Sequence, residues 1–402
     1  MNNDIDRIIS YVIEKASPYN ALKKQLEEAV FPPGRLFVIS VGKAGWIMAK
    51  CASDVLRERI TSGLVITKYG HAQGEIPGFE IREAGHPLTD DNSVMAAQRA
   101  WQLTEDLRED DGVLFLLSGG GSALFELPLI SLEEIREISD RLIRSSAGIN
   151  EINIIRKRLS RVKGGRFAAH CAPARVYNFI LSDVIGNRLD MVASGPTVAD
   201  SSTEQQAQQL IEKYGLGELP LQPTVHQLDN VETHVIGDVF TLAQSAEEIC
   251  TQLGYLSRII STAMTCDEQQ AAEILLKKAA DNQNTSISKA FIYAGEITLT
   301  VKGRGKGGRN QHLALDCAEG LRNMTATLIM ALGSDGTDGP TDAAGGYVTS
   351  GTWDSARRKG VDIRASLSDN DSYHALEKLD RLIITGPTGS NINDLYLVLI
   401  KR

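Results

Sequence analysis

The stretch GVLFLLSGGGSA (residues 112–123) joins an apolar run of strand-like composition to three consecutive glycines. A short apolar run that ends in turn-forming residues is typical of a buried strand. Glycine reaches backbone conformations that other residues avoid, so successive N–H groups of a triple-glycine loop can converge on an anion. The stretch therefore predicts a strand followed by a phosphate-binding loop. The residues expected to contact phosphate are Ser118, Gly119, Gly120, Gly121 and Ser122.

The same strand signal recurs on either side of this stretch. RLFVIS, GLVIT and VYNFILS are short apolar runs, and helical patterns such as residues 92–107 and 132–145 lie between such runs. This alternation predicts a Rossmann-like, three-layer α/β/α domain with a mainly parallel sheet. In such sheets ligands bind beyond the carboxyl ends of the strands, so the chemistry is expected in the loops that follow strands.

A change in composition over residues 200–230 predicts a boundary between two domains. The segment is polar and rich in glutamine, which is typical of a connection. Strand signals resume after it in THVIGD, SRIIST, AFIYAGEITLTVKG, TLIMALGSDG and RLIITG. We expect 1–230 to form an N-terminal α/β domain, and 231–402 to form a C-terminal α/β domain with a mixed sheet.

The composition argues against several classes of protein. A formal net charge of -9 is unfavourable for a general nucleic-acid binder. The N-terminal segment lacks the apolar run of a signal peptide, and no stretch is apolar enough to span a bilayer. Five scattered cysteines without a CxxC pair are typical of reduced, mostly buried thiols. These features predict a cytoplasmic protein that acts on a small molecule without nucleic acid or membrane partners, with a homodimer left open.

A second glycine-rich loop, VGKAG (residues 41–45), follows the run RLFVIS. Its glycines allow close approach of a ligand, and the N-terminus of the helix behind it favours an anion. Lys43 adds a full positive charge. The alternative interpretation is an ordinary strand-to-helix turn with a solvated lysine.

A third loop, KGRGKGGRNQ (residues 302–311), interleaves four glycines with four cations. The glycines formally match GxGxxG, which makes an NAD(P)-binding loop one interpretation. Four basic side chains suit a more highly charged group, and the acidic ribose ligand expected about 20 residues further on is missing. A triphosphate therefore fits better, and a solvated basic loop is the remaining alternative. The cations are Lys302, Arg304, Lys306 and Arg309, and the matching glycines are Gly303, Gly305 and Gly308.

Carboxylates gather in the loop GSDGTDGPTDAAGG (residues 333–346), which follows the strand-like run TLIMAL. Another aspartate follows VYNFILS directly. Hard oxygen ligands of this kind suit a Mg²⁺ ion that bridges phosphates, although aspartate and glycine are also ordinary turn residues. The candidate metal ligands are Asp183, Asp335 and Asp338, with Asp342 close by.

His86 stands in the polar segment GHPLTDDN. There it can position an alcohol or act as a base, and a structural histidine with satisfied hydrogen bonds is the alternative. A Walker A motif is absent, because neither Gly42-Lys43 nor Gly305-Lys306 is followed by serine or threonine.

Taken in order, these segments resemble the class II glycerate kinase family. The family's N-terminal region is similar to VGKAG, GHPLTDDNS, LLSGGGSALFE, NEINIIRKRLSRVKGGR and LSDVIGNRLDMVASGPTVAD. Its C-terminal MOFRL domain is similar to KGRGKGGRNQHLAL, SDGTDGPTDAAGG, DNDSYHALEKL and TGPTGSNINDL. The resemblance extends from the first strand to the C-terminus. One departure is AGEIT (residues 294–298), which stands where the family usually has GGET.

The resemblance implies an enzyme that uses ATP and Mg²⁺ to phosphorylate the 2-hydroxyl of D-glycerate, giving 2-phosphoglycerate and ADP. It implies an active site in the cleft between two α/β domains. Lys43 and Arg309 match the family's active-site lysine and arginine, and we expect both to be solvated and dispensable for folding. Further nucleotide contacts are expected from Ser194, Gly195 and Asn310. The alternative is an NAD(P)-dependent hydroxypyruvate reductase, a label that family members often carry.

Overall fold

A computed structural model describes residues 2–186 and 188–402. The chain divides into two compact units. The first unit is Pro18–Ile236, and the second is Gly237–Arg402 together with the N-terminal segment that ends at Ser17. Helix α1 (Asn2–Lys15) opens the chain and belongs to the second unit.

The first unit is built on a six-stranded sheet. Its strands are β1 (Leu36–Val41), β2 (Ser62–Lys68), β3 (Phe79–Ala84), β4 (Gly112–Leu117), β5 (Arg175–Leu181) and β6 (Val231–Gly237). The order is β3-β2-β1-β4-β5-β6, and β1 pairs in parallel with β2 and β4, as do β2 with β3 and β4 with β5. The predicted mainly parallel sheet is therefore confirmed. β1 and β4 are buried along their whole length, as expected of central strands covered on both faces.

Helices connect these strands. They are α2 (Pro18–Glu28), α3 (Gly45–Leu56), α4 (Asp91–Leu103), α5 (Gly121–Leu124), α6 (Leu132–Arg144), α7 (Ile149–Arg158), α8 (Arg166–His170) and α9 (Glu204–Tyr214), with short 3-10 turns at Arg57–Arg59 and Val192–Ser194. Polar side chains define where several helices begin. Asp90, for example, accepts a hydrogen bond from the N–H of Ser93 at 2.9 Å and caps α4.

The strand order places a reversal between β1 and β4. The chain builds outward from β1 to β3 on one side, and then crosses to β4 on the other side of β1. Val41 and Leu117, the last residues of these two strands, are directly paired. Ligands bind at such a switch point in doubly wound sheets, so the loops that follow Val41 and Leu117 occupy the expected position.

The second unit contains a separate six-stranded sheet. Its strands are β7 (Leu256–Met264), β8 (Lys289–Gly295), β9 (Thr327–Gly333), β10 (Gly345–Thr349), β11 (Leu382–Ile383) and β12 (Asp394–Ile400), in the order β11-β10-β9-β12-β8-β7. β7 pairs in parallel with β8, whereas β12 runs antiparallel to β8 and β9, and β10 antiparallel to β9 and β11. The predicted mixed sheet is confirmed. The helices are α10 (Val239–Gln252), α11 (Glu268–Ala280), α12 (Arg309–Gly320), α13 (Thr352–Lys359), α14 (Ile363–Ser368) and α15 (Ser372–Lys378).

Helix α1 packs against α10, although the whole first unit separates them in sequence. The Asp4 carboxylate accepts hydrogen bonds from the Tyr255 hydroxyl at 2.7 Å and from Lys401 Nζ at 2.6 Å. Ile5, Ile8 and Val12 are buried. The predicted division into 1–230 and 231–402 did not anticipate this placement, because an amphipathic pattern does not tell which unit covers the apolar face.

The cysteines are free, and all but Cys266 are buried, as the sequence predicted. Burial raises the pKa of the Cys51, Cys171 and Cys250 thiols to about 12. No helix in the described part of the chain is long and apolar enough to cross a membrane.

Candidate active site

The loops after β1 and β4 are held together by backbone hydrogen bonds. The Lys43 N–H donates to Gly119 O at 2.9 Å, and the Ala44 N–H donates to Ser118 Oγ at 3.1 Å. A Cβ at Gly42 would lie 2.2 Å from Ser118 Oγ, so this contact requires glycine. The N–H groups of residues 42–45 therefore have partners within the chain and are not free to bind the anion expected at VGKAG. Its role is to carry the Lys43 side chain.

The SGGGS loop (residues 118–122) offers the backbone donors that VGKAG does not. The N–H groups of Gly119, Gly120, Gly121 and Ser122 donate to no acceptor among the described residues. Gly120 has a φ of +90°, in the left-handed region that glycine tolerates best. Successive free N–H groups next to a turn of this kind are the structural requirement for a backbone anion site.

Lys43 and His86 border the space beside Gly120. A Cβ at Gly120 would lie 3.1 Å from His86 Cδ2 and 3.3 Å from Lys43 Cγ. Lys43 Nζ makes no hydrogen bond or ion pair within the described chain. Burial, followed by the charges of Lys43 and Lys68, lowers the pKa of His86 to about 4, so its ring is neutral at physiological pH. The site thus combines a free ammonium group with a neutral imidazole.

Cations from α7 and the loop after it support the SGGGS loop from beneath. The Ser122 carbonyl accepts hydrogen bonds from Arg156 Nη2 at 3.1 Å and Lys163 Nζ at 2.9 Å. Lys163 also donates to Phe125 O at 2.7 Å and is fully buried. Burial lowers the pKa of Lys163 to about 8. These contacts fix the carbonyl side of the loop and leave its N–H side free.

Three residues predicted to contact nucleotide are buried in the first unit. Ser118 is buried, and its hydroxyl donates to Val41 O at 3.3 Å. Ser194 is fully buried; its Oγ donates to Asn153 Oδ1 at 2.8 Å and lies 3.1 Å from Ser122 Oγ. Gly195 is also buried. The two hydroxyl groups already have protein partners, and a contact of these residues with nucleotide stays a prediction. Asp183 differs from them, because it lies partly exposed two residues after β5.

In the second unit, the N–H groups of residues 302–306 donate hydrogen bonds to residues 369–371. Those of Lys302 and Gly303 donate to Asn370 Oδ1 at 2.8 and 2.9 Å. Arg304 and Lys306 donate theirs to the carboxylates of Asp369 and Asp371. The loop was predicted to bind a triphosphate, and its backbone from 302 to 306 is instead bound by residues 369–371.

The glycines of this loop allow other segments of the second unit to pack closely against its backbone. A Cβ would lie 2.2 Å from the Asp369 carbonyl carbon at Gly303 and 2.4 Å from Asp371 Cβ at Gly305. At Gly308 it would lie 2.3 Å from Asp338 Cγ. The GxGxxG match therefore reflects close packing of chain segments. It does not indicate a dinucleotide loop, and the NAD(P) interpretation loses the feature on which it rested.

Arg309, the first residue of α12, is not solvated as predicted. Its Nε donates to Asp394 Oδ2 at 2.6 Å, its Nη2 to Asp394 Oδ1 at 3.2 Å, and its Nη1 to Glu296 Oε1 at 2.6 Å. The Asp394 side chain is buried, whereas a third of the Arg309 side chain is exposed. Sequence reasoning missed Asp394, although a charged residue that opens the apolar strand DLYLVLI is a signal that could have found it.

Asp338 caps the N-terminus of α12. Its carboxylate accepts hydrogen bonds from the N–H groups of Asn310 at 3.1 Å and Gln311 at 2.7 Å. Asn310 itself is buried, and its predicted contact with nucleotide stays a prediction. Burial raises the pKa of Asp338 to about 6. Both carboxylate oxygens thus accept hydrogen bonds from the start of the helix, and the assignment of Asp338 as a metal ligand stays a prediction.

The other predicted metal ligands remain at strand-end loops. Asp335 is partly buried; its Oδ1 accepts a hydrogen bond from the Thr337 N–H at 3.0 Å, and its Oδ2 accepts none from the described residues. Asp342 accepts from the Tyr373 hydroxyl at 2.8 Å. Residues 2–186 and 188–402 contain no group of three histidine, cysteine or acidic side chains that could hold a metal ion.

The strand order, with the SGGGS loop and an adjacent lysine at its switch point, is that of a doubly wound α/β protein, a class that binds its ligands beyond the carboxyl ends of the strands. Residues 4–228 match a family described as a domain of unknown function, DUF4147, and residues 289–394 match the MOFRL family. The D-glycerate 2-kinase of Thermotoga maritima is 45% identical over 98% of this chain and 97% of its own length. The chain belongs to the class II glycerate kinase family and is a kinase.

Further relatives also match nearly the whole length of this chain. The glycerate 2-kinase of Pyrococcus horikoshii is 35% identical over 98% of this chain and 96% of its own length. A putative hydroxypyruvate reductase of Agrobacterium vitis is 33% identical over 98% of this chain and 93% of its own. The crystal structure of the Thermotoga maritima glycerate kinase superposes with a TM-score of 0.94 at 44% identity, covering 99% of each chain.

Proposed function

We propose that this chain transfers the γ-phosphoryl group of ATP to the 2-hydroxyl of D-glycerate, giving 2-phosphoglycerate and ADP. The observation that carries the proposal is the SGGGS loop, where four free N–H groups stand beside Lys43 at the switch point of the sheet. The names of two relatives that match nearly the whole chain supply the substrate and the position of transfer.

Phosphoryl transfer needs positioning and charge neutralisation more than covalent help from the protein. The N–H groups of Gly119–Ser122 would bind phosphate oxygens, because nothing else in the described chain uses them. Lys43 would neutralise charge on the transferring group or bind the glycerate carboxylate. Arg309 would act through the exposed part of its guanidinium, since Asp394 and Glu296 hold the rest.

The oxygen donors at Asp335 and Asp183 suit Mg²⁺, which binds through one or two carboxylates together with phosphate oxygens. Asp335 Oδ2 fits this role best, because no described group donates to it. When bound, the ion would neutralise phosphate charge. Asp183, at the end of β5, is the corresponding candidate in the first unit. We also propose a cytoplasmic location, which the five free cysteines support.

The test is to incubate the purified chain with ATP, Mg²⁺ and D-glycerate and to identify the product by ³¹P NMR. We expect 2-phosphoglycerate and ADP in equal amounts, complete loss of turnover in excess EDTA, and recovery with Mg²⁺. A parallel sample with hydroxypyruvate and NADH should show no oxidation of NADH. Reduction of hydroxypyruvate without kinase activity would overturn the proposal in favour of the reductase alternative, and full turnover in excess EDTA would refute the metal assignment.

A further inference from the structure

His86 presents an unpaired ring edge to the space beside the SGGGS loop. A Cβ at Gly120 would lie 3.2 Å from His86 Nε2 and 3.3 Å from Lys43 Cγ, so both side chains border the same point. No group in residues 2–186 and 188–402 hydrogen-bonds to either ring nitrogen of His86. A half-buried polar ring without a protein partner takes its partner from a ligand or from solvent.

The charges around His86 decide which kind of partner it accepts. After burial, the positive charges of Lys43 and Lys68 and the nearby His71 are the influences that disfavour the protonated form of His86. A neutral imidazole carries one N–H donor and one acceptor nitrogen, and a hydroxyl group, which both donates and accepts, can pair with either of them. The nearby ammonium of Lys43 attracts an anion instead. The two side chains therefore select different groups of one small molecule.

We propose that Lys43 and His86 together recognise a 2-hydroxycarboxylate: Lys43 binds the carboxylate, and the His86 ring accepts a hydrogen bond from the adjacent hydroxyl. The inference rests on the proposed function and adds the feature that selects the position of transfer. Carboxylate and 2-hydroxyl stand on neighbouring carbon atoms, so a carboxylate held by Lys43 brings the 2-hydroxyl to the neighbouring ring. The 3-hydroxyl lies one carbon further away.

His86 orients the hydroxyl in this scheme and is not a strong base. In the transfer, the hydroxyl oxygen forms its bond to the γ-phosphorus while the bond from that phosphorus to the bridging oxygen breaks. ADP keeps the electron pair of the broken bond, and the hydroxyl proton passes to solvent. A weakly basic acceptor suits a reaction in which the nucleophile must be aligned before it loses its proton.

The experiment compares the binding of D-glycerate and 3-hydroxypropionate, which keeps the carboxylate and lacks the 2-hydroxyl, by calorimetry. The wild-type chain should prefer glycerate by roughly tenfold, the size of one hydrogen bond in a partly buried site. His86→Phe should lose this preference while its affinity for 3-hydroxypropionate is kept, and His86→Gln, which retains an acceptor, should keep part of it. Lys43→Ala should weaken both acids alike.

His170 supplies the matched control, because it is another half-buried histidine of the first unit, stacked on Trp101 with ring centroids 3.6 Å apart. His170→Phe should bind both acids like the wild type. In ¹⁵N-histidine-labelled protein, glycerate should shift the His86 ring nitrogens and 3-hydroxypropionate should not. If the wild type binds neither acid, the proposed function falls together with this inference. If glycerate binds with the same preference in folded His86→Phe, or leaves the His86 nitrogens unshifted, only the role of His86 is overturned.

Discussion

Lys43 and Arg309 carry the same charge in opposite surroundings. Lys43 Nζ has no partner in the described chain, and the backbone around it is fixed by the hydrogen bonds that join two strand-end loops. Arg309 is held by a buried carboxylate and an exposed one. Loss of the first cation should therefore affect catalysis alone, whereas loss of the second should also affect folding.

Lys43→Ala should reduce kcat/KM by roughly a hundredfold, which is the effect expected when a charge-assisted hydrogen bond to the substrate carboxylate is lost. Its free energy of unfolding should change by less than about 0.5 kcal/mol, because no interaction of the side chain is lost. Steady-state kinetics and urea denaturation of the same preparation measure both quantities. Near wild-type kcat/KM in the folded variant would remove Lys43 from the site.

Arg309→Ala should lower the free energy of unfolding by about 2–3 kcal/mol. The reason is that Asp394 would stay buried without its cation, at a cost somewhat reduced because the pair is partly open to solvent. Arg304→Ala is the control, since Arg304 is an exposed cation of the preceding loop. Urea denaturation followed by circular dichroism measures both variants. An unchanged midpoint for Arg309→Ala would mean that the Asp394 ion pair contributes nothing to stability.

The loops at the switch point depend on elements that precede and follow them. The SGGGS loop is backed by α7 through Arg156 and Lys163, and by the turn at Val192–Ser194 through Ser194. These supports hold the carbonyl side of the loop and leave its N–H groups free. The glycines must remain free of side chains for this arrangement to bind a phosphate.

Gly120→Val should raise the Kd for ATP by roughly tenfold or more, because charge-assisted hydrogen bonds from the loop would be lost. The new side chain would start 3.1 Å from the His86 ring and would also strain a backbone with φ of +90°. Gly217→Val separates the two effects, since Gly217 has a similar φ of +80° and open space around it. Calorimetry with ATP should show normal affinity for Gly217→Val. Equal loss in both variants would point to strain and move the nucleotide site elsewhere.

Asp200 connects α7 to the segment before α9 by accepting hydrogen bonds from Lys157 Nζ at 2.9 Å and Ser202 Oγ at 2.6 Å. Burial alone would raise the pKa of Asp200, but these hydrogen bonds lower it to about 2. A lowered pKa stabilises the folded state above pH 4 and loses that effect as the pH falls towards 2. The ionised group should contribute about 2 kcal/mol at neutral pH.

Urea denaturation at several pH values tests this contribution. The difference in unfolding free energy between wild type and Asp200→Asn should be constant from pH 7 to about pH 4 and should shrink below it. Asp140→Asn removes an exposed carboxylate and should show almost no such difference. A difference that is independent of pH down to 3 would exclude the ion pair as its source.

The sequence predicted the features that depend on neighbours in the chain. An apolar strand followed by three glycines marks the SGGGS loop whatever surrounds it. Contacts between distant segments could not be predicted in this way. From its sequence, the KGRGKGG stretch is expected to be an open basic loop, but its N–H groups donate to residues 369–371. Arg309 is likewise expected to be a solvated cation, but it pairs with Asp394, which lies 85 residues away in the sequence.

Helix α1 shows most clearly that residues far apart in the sequence pack together. Its apolar face is covered by the second unit, which the chain completes only after the whole first unit has been made. The second unit therefore depends on residues from both ends of the chain. A change on α1 should then weaken the second unit rather than the first unit, which follows it directly in sequence.

Ile8→Asp should destabilise the second unit by about 3 kcal/mol or more, because Ile8 is fully buried and a carboxylate at this position would be buried without a cation or hydrogen-bond donor to pair with it. Ser10→Asp is the control, since it adds the same charge on an exposed position of the same helix. Limited proteolysis with mass spectrometry shows which unit opens first. For Ile8→Asp the earliest cuts should fall within residues 237–402, and Ser10→Asp should be cut like the wild type. Earliest cuts within residues 18–236 would mean that α1 stabilises the first unit, as a simple division at residue 230 requires.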